Sequence, residues 1–192
     1  MNDLVTIPKT FVARRNFWNF FGIACRILDH AGALLYFVKL KAFKLKEDIT
    51  VFKDEARTQP LLNIKARQIL DIAATYDVTD VATGAPLGAL RRRGLRSILK
   101  DQWDILDPNG EVIGNIHEDS MLLALLRRFL SNLIAQDYHF FMGEQMVGLA
   151  KGSWNPFLVK YYVDFTHDSQ NLLDPRMGLA AMVMLMTIEG KQ

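Results

Sequence analysis

Cysteine and long hydrophobic runs are almost absent from this chain of 192 residues. Cys25 is the only cysteine, so an intramolecular disulfide is excluded and a reducing compartment is expected. No uninterrupted apolar run approaches the roughly 20 residues that a transmembrane helix needs. The first residues also lack the basic, apolar and small-residue pattern of a secretory signal. We therefore expect a cytoplasmic protein, either free or peripherally bound at the inner membrane face.

Groups that support catalysis or hold metals are thinly spread. The four histidines show no His-x-x-x-His spacing, and hydrolase, phosphate-loop and dinucleotide motifs are missing. Asp164, Asp168 and Asp174 lack the alternating oxygen ligands of a calcium loop. We therefore expect no enzyme, no metal and no other cofactor. An enzyme or small-ligand carrier would need a cavity beside the terminal helix, whose bulky Met and Leu residues favour a filled interior.

The strongest positive signal is a hydrophobic helix near the C-terminus. Asp174 is a preferred N-cap, and Pro175 fits the first helical position because its missing N–H has no partner there. The twelve residues 177–188 then carry no charge on any face. At about 1.5 Å per residue they span about 18 Å, which is too short for a bilayer. A helix that is apolar all round must be enclosed, and we expect the preceding β structure to enclose it.

β-Hairpin signals precede this helix, with apolar and polar residues alternating around turns. Asp80 and Asp107 end strands and are expected to begin turns. Gly88, Gly114 and Gly148 each lie in a second strand, where we expect the sheet to bend and the backbone of the terminal helix to pass close by. The hairpins cover residues 76–90, 103–116 and 138–150; further strands are predicted at 34–46 (with a bulge between Ala42 and Phe43), 49–52, 61–64, 69–72 and 157–165, and a second helix at 119–133.

Positive charge is clustered, although the formal net charge is only +2. Clustered cations attract the phosphate-bearing surfaces of lipid or nucleic acid. The alternative is that these residues are solvated strand edges and hairpin loops, where lysine discourages edge pairing. The candidate lipid-headgroup site is the block of Arg91, Arg92, Arg93, Arg96 and Lys100. Smaller groups are Lys39, Lys41, Lys44 and Lys46, and the pairs Arg14-Arg15 and Arg127-Arg128.

The segment from Phe11 to Phe21 combines aromatic and basic residues, as membrane-interface anchors do. Phe17 and Trp18 are the candidate anchors, with Arg14 and Arg15 beside them. The alternative is that the rings close one mouth of a barrel or cover its side. Residues 1–25 are therefore interpreted as an N-terminal aromatic and basic extension, and residues 26–192 as one domain. No nucleic-acid partner is expected, because the aromatic and basic strand motif of single-strand binders is missing.

The order of the motifs resembles the LURP-one-related and phospholipid scramblase family, which has the tubby-like fold. The motifs are Tyr76-Asp77-Val78-x-Asp80 with Gly84, Leu87-Gly88 and Arg91-Arg92; Trp103-Asp104-Ile105-x-Asp107 with Gly110, Ile113-Gly114 and Glu118-Asp119; and Leu172-Leu173-Asp174-x-Arg176. The resemblance implies a mainly β protein, a closed antiparallel barrel of about twelve strands enclosing a hydrophobic C-terminal helix. The chain lacks the proline-rich region and cysteine cluster associated with scramblases, which argues against lipid scrambling.

Two functions follow as expectations, since a fold alone does not determine activity. The first is a non-enzymatic module that binds anionic phospholipid or phosphoinositide at a membrane surface. The alternative is a soluble protein-interaction or structural scaffold without lipid binding. Binding to a partner that is insensitive to salt and to lipid would indicate the alternative.

Overall fold

The computed structural model describes residues 6–16, 23–40, 48–67, 74–93, 102–118, 136–153, 155 and 158–188. These residues form twelve β-strands and one helix. The strands are β1 (Thr10–Asn16), β2 (Ile23–Leu28), β3 (Leu34–Leu40), β4 (Asp48–Phe52), β5 (Pro60–Ala66), β6 (Thr75–Asp80), β7 (Pro86–Arg92), β8 (Gln102–Leu106), β9 (Val112–Glu118), β10 (Tyr138–Met142), β11 (Gln145–Ser153) and β12 (Leu158–Asp164), and the helix is α1 (Pro175–Ile188).

The strands form a closed up-and-down barrel. Each strand pairs antiparallel with the next one in the sequence, and β1 pairs with β12 from Thr10 opposite Asp164 to Asn16 opposite Leu158. Closure satisfies the backbone groups that an open sheet would leave at its two edges. The predicted mainly β fold, a barrel of about twelve strands with a hydrophobic C-terminal helix, is confirmed.

The core of the barrel is filled by α1. Every residue from Met177 to Thr187 is buried, as expected for a helix that is apolar on all faces. The helix begins at the predicted cap: the Asp174 carboxylate accepts the N–H of Arg176 at 2.8 Å. The Asp174 carbonyl accepts the N–H of Met177 at 2.9 Å. Inward-facing residues of the strands pack around the helix and form one continuous hydrophobic core with it.

The strand glycines allow close approach, but the approaching groups differ from those expected. A Cβ on Gly88 would clash with the backbone carbonyl of Leu106 on β8, and one on Gly114 with that of Phe141 on β10. A Cβ on Gly148 would clash with the Phe165 ring. The helix backbone is not among the nearest atoms at these positions, so that part of the prediction is wrong; of the helix, the Met177 side chain comes within 3.3 Å of a Cβ on Gly88. Each glycine lies beside a register shift of its hairpin, which agrees with the predicted bending of the sheet.

The barrel extends into the segment interpreted as an N-terminal extension. β1 lies wholly within residues 1–25, where it completes the barrel between β2 and β12. The boundary between residues 25 and 26 falls inside β2. Most of the described part of that segment, namely β1 and the start of β2, is thus barrel wall. The predicted strand at 69–72, the bulge between Ala42 and Phe43, and the helix at 119–133 lie outside the described residues.

Candidate functional site

The two ends of the barrel are distinct surfaces, because alternate connections of an up-and-down barrel return to the same end. The turn end is the one at which β2–β3, β4–β5, β6–β7, β8–β9 and β10–β11 are joined. The loop end is the opposite one, at which β1–β2, β3–β4, β5–β6, β7–β8, β9–β10 and β11–β12 are joined. Helix α1 starts at the turn end, where Arg176 contacts Asp80 at the last residue of β6.

Four of the five hairpins at the turn end share one arrangement. An aspartate after or near the end of the first strand accepts backbone N–H groups of the following turn at 2.7–3.2 Å. The four residues are Asp29, Asp54, Asp80 and Asp107, so the prediction that Asp80 and Asp107 begin turns is confirmed. These hydrogen bonds, led by the one from the Glu111 N–H, hold the pKa of Asp107 below its ordinary value. The turn end is therefore a set of tight, self-satisfied turns.

The connections at the two ends differ sharply in composition. The five hairpin connections of the turn end contain two Lys or Arg and six Asp or Glu, a net charge of −4, and no aromatic residue. The six connections of the loop end contain nine Lys or Arg and five Asp or Glu, a net charge of +4, and eight Phe or Trp residues. Most of the loop-end connections lie outside the described residues, but the strands fix the end at which each leaves and re-enters the barrel. The connections that leave and re-enter the barrel at the loop end are thus rich in basic and aromatic residues, whereas those of the turn end are acidic.

The predicted headgroup block borders the loop end, but part of its charge is neutralised. Arg91 Nη2 lies 2.8 Å from Asp104 Oδ2, and Arg93 Nε lies 2.6 Å from Asp104 Oδ1. Only 5% of the Asp104 side chain is exposed, so two arginines share one buried carboxylate. Arg92 follows Arg91 on the strand and therefore points to the opposite face of β7. Arg96 and Lys100, the rest of the block, lie outside the described residues.

The predicted pair of Arg14 and Arg15 is divided between the two faces of β1. Arg14 is exposed on the outer wall, whereas Arg15 is buried inside the barrel opposite Cys25. The interpretation of Arg15 as a surface anchor is wrong, because successive strand residues point in opposite directions. Burial lowers the pKa of Arg15 and raises the pKa of the Cys25 thiol to about 12, so this thiol is protonated at neutral pH. The candidate anchors Phe17 and Trp18 lie outside the described residues.

Arg14 is the centre of a cluster of basic side chains that only the fold brings together. It lies directly opposite Lys160 on β12 and directly opposite Arg26 on β2. Side chains opposite one another in an antiparallel pair have Cβ atoms about 5 Å apart. Lys151 on β11 and Lys39 on β3, both exposed, flank these three diagonally. We call these five residues the basic row.

The basic row has one acidic contact within the described part of the chain. Glu55 Oε1 lies 2.6 Å from Arg26 Nε, and this hydrogen bond lowers the pKa of Glu55, helped by the nearby charge of Arg14. Lys160 extends along its own strand, where Nζ donates to Tyr162 Oη at 2.6 Å and lies 4.3 Å from the ring centroid. Sequence reasoning singled out Arg14 and Lys39 here but missed the others, because their proximity depends on the register of β12, β1 and β2.

The described residues contain neither a candidate metal cluster nor a helix able to span a membrane. Across these ranges, no group of three His, Cys, Asp or Glu side chains is arranged to hold a metal ion. Asp164, Asp168 and Asp174, the acidic residues near the terminal helix, accept hydrogen bonds from Thr166, from Leu172 and Leu173, and from Arg176. No helix in the described part of the chain is both long and apolar enough to cross a membrane.

The described residues thus form a mainly β protein, a closed twelve-strand barrel filled by an apolar C-terminal helix. Residues 34–164, more than half of the chain, match the LURP-one-related family. The chain therefore belongs to the LURP-one-related family. No curated protein and no solved structure matches it. The matched segment runs from β3 to β12. Strands β1 and β2, which complete the barrel wall, and helix α1, which fills it, lie outside the matched segment.

Proposed function

We propose that this barrel is a non-enzymatic module that binds anionic phospholipid at a membrane surface through its loop end. The observation that carries the proposal is the contrast in connections: a net charge of +4 with eight aromatic residues at the loop end, against −4 and none at the turn end. Basic residues near an anionic leaflet contribute about 1 kcal/mol each, and aromatic rings partition into the interface.

The same contrast favours one orientation over any other. With the loop end toward the membrane, the negative leaflet attracts the basic connections and the acidic turn end points away from it. Attraction of one end and repulsion of the other therefore favour the same orientation. The basic row lies on the adjacent wall, because Arg14 is two residues from the loop-end terminus of β1. Peripheral binding through charge and aromatic insertion is reversible, and lipid scrambling is no part of the proposal.

Co-sedimentation with phosphatidylcholine vesicles, with and without phosphatidylserine, tests the proposal over a series of salt concentrations. We expect binding that requires phosphatidylserine and weakens with salt, because salt screens exposed charges. The double substitution Lys44→Gln and Lys46→Gln removes two charges from the β3–β4 connection and should lower partitioning by about thirtyfold, which corresponds to about 2 kcal/mol.

The matched control removes two charges from the turn end, by Lys53→Gln and Arg57→Gln in the β4–β5 connection. This variant should bind vesicles as the wild-type protein does. Absence of binding at low salt, or equal binding to neutral vesicles, would contradict the proposal and leave the alternative of a protein-interaction scaffold.

A further inference from the structure

The basic row is an unfavourable arrangement for a barrel wall. Arg14 faces a cation on each neighbouring strand, Lys160 on one side and Arg26 on the other. Like charges placed directly opposite in an antiparallel pair destabilise a sheet. Glu55 hydrogen-bonds to Arg26 and lies near the charge of Arg14, but no side chain in the described ranges hydrogen-bonds to the Arg14 guanidinium. A surface that carries repulsion of this kind is suited to bind an anion that relieves it.

From this geometry we propose that the basic row binds a group carrying two or three clustered phosphates. The site is distinct from the loop end and stands independently of membrane docking. Its three central cations lie on adjacent strands, which are about 5 Å apart, so they fall within about 10 Å. A single carboxylate carries one negative charge and a single phosphate group at most two, so neither balances all three cations. A compact polyphosphate contacts several at once, and the planar guanidinium of Arg14 can bind one phosphate with two parallel hydrogen bonds.

The residues around the three central cations fit the same ligand. Lys151 and Lys39 extend the positive surface diagonally to either side, and both are exposed. Lys160 donates one hydrogen bond to Tyr162, and its ammonium group retains further N–H donors for a phosphate oxygen. Such a ligand can be a soluble phosphorylated molecule or the headgroup of a phosphorylated lipid, and the two sources can be separated experimentally.

The test is isothermal titration calorimetry of the full chain with tripolyphosphate. We expect saturable binding that Arg14→Gln weakens by about tenfold, because a charge-assisted contact is lost. Glu55→Gln should tighten binding, since it removes the acidic contact of the row. The matched control is Lys65→Gln: Lys65 is exposed on the outer face of β5 but lies between Asp48 and Asp77, so its loss should leave affinity unchanged.

Thermal unfolding separates loss of the site from loss of the fold. Arg14→Gln should unfold at a temperature no lower than wild type, because the substitution removes like-charge repulsion. No binding of tripolyphosphate to the wild-type protein would overturn the inference, as would equal weakening by Arg14→Gln and Lys65→Gln. Vesicle binding that persists in Arg14→Gln leaves the proposed membrane function intact, so the two failures are distinguishable.

A second experiment distinguishes a lipid headgroup from a soluble molecule as the source of the phosphates. Vesicles with a bisphosphorylated inositol headgroup are compared with phosphatidylserine vesicles of equal surface charge, with and without tripolyphosphate as competitor. Arg14-dependent preference for the bisphosphorylated headgroup supports the inference with a lipid as the source. Tripolyphosphate binding without that preference supports it with a soluble ligand.

Discussion

At the scale of single residues, Arg176 joins the terminal helix to the barrel. Its guanidinium contacts the helix cap, with Nη2 2.6 Å from Asp174 Oδ2, and β6, with Nη1 2.8 Å from Asp80 Oδ2. Asp80 is nearly buried and also accepts two N–H groups of its own turn. One side chain thus connects the start of α1, the end of β6 and a hairpin turn.

Replacing Arg176 should destabilise the fold without changing its surface chemistry. Arg176→Gln leaves the Asp80 carboxylate nearly buried without its cation, and we expect the free energy of unfolding to fall by about 2 kcal/mol. Urea denaturation measures this change. The control is Arg67→Gln, which loses the ion pair to Asp77 at the surface; exposed pairs contribute about 0.5 kcal/mol or less. Equal losses in the two variants would contradict the structural role of Arg176.

The contact between Arg176 and Asp80 should make the stability of the fold depend on pH. Burial raises the pKa of Asp80, but hydrogen bonds from Thr83, Arg176 and Ala82 outweigh it, so the folded-state pKa lies below the ordinary 3.8. A lowered folded-state pKa stabilises the protein above the unfolded-state value, and the contribution is lost as the pH falls through the folded-state value. The stability difference between wild type and Arg176→Gln should therefore be constant near neutral pH and shrink below about pH 4.

At the scale of secondary-structure elements, the hairpin of β6 and β7 contains two glycines with different roles. Gly84 lies in the turn with φ of +70°, and a Cβ there would meet open space. Gly88 lies in β7 with φ of +139°, beside a register shift between Val78 and Thr79, and a Cβ there would clash with the Leu106 carbonyl. The first position constrains only the backbone, whereas the second constrains the backbone and the packing of β8.

Alanine at the two positions should therefore have unequal costs. Gly84→Ala is expected to lower the free energy of unfolding by about 1 kcal/mol, the cost of a left-handed conformation for an L-residue. Gly88→Ala adds a clash with the neighbouring backbone, and we expect a loss of about 3 kcal/mol or more. Chemical denaturation of both variants measures these free energies of unfolding. A loss of stability for Gly88→Ala that is no larger than that for Gly84→Ala would contradict the close approach of β8.

Elements with a local signal could be predicted from the sequence. The cap at Asp174, the uncharged run after it and the turn at Asp107 are each determined by neighbouring residues, and the structure has them as predicted. Closure of the barrel was expected only through the resemblance to a family. β1 was missed because Arg14-Arg15 was interpreted as surface charge, although alternation places one arginine inside the barrel and one outside.

The candidate sites were less predictable because they depend on register. The neutralisation of Arg91 and Arg93 requires β8 to present Asp104 opposite Arg91. The basic row requires Lys160 and Arg14 to meet, although 145 residues lie between them in the sequence. No local pattern encodes such a pairing, since it is fixed by the order and shear of all twelve strands.

At the scale of the whole molecule, the barrel is a scaffold with two unlike ends. The helix packs with the inward-facing strand residues into one hydrophobic core, and both proposed sites therefore use the outer surfaces of the barrel. The acidic turn end is built from short, self-satisfied hairpins, whereas the connections of the loop end carry the basic and aromatic residues. The orientation of this polarity relative to a membrane is the central claim of the proposed function.

Site-specific labelling tests that orientation most directly. An environment-sensitive fluorophore is attached through Asn155→Cys at the loop end or Ala82→Cys at the turn end, both exposed positions. The native Cys25 is buried, with a pKa raised to about 12, and should not react in the folded protein. With phosphatidylserine vesicles, we predict a blue-shifted emission and quenching by lipid-borne quenchers at residue 155, and no change at residue 82. Quenching at residue 82, or at neither position, would contradict docking through the loop end.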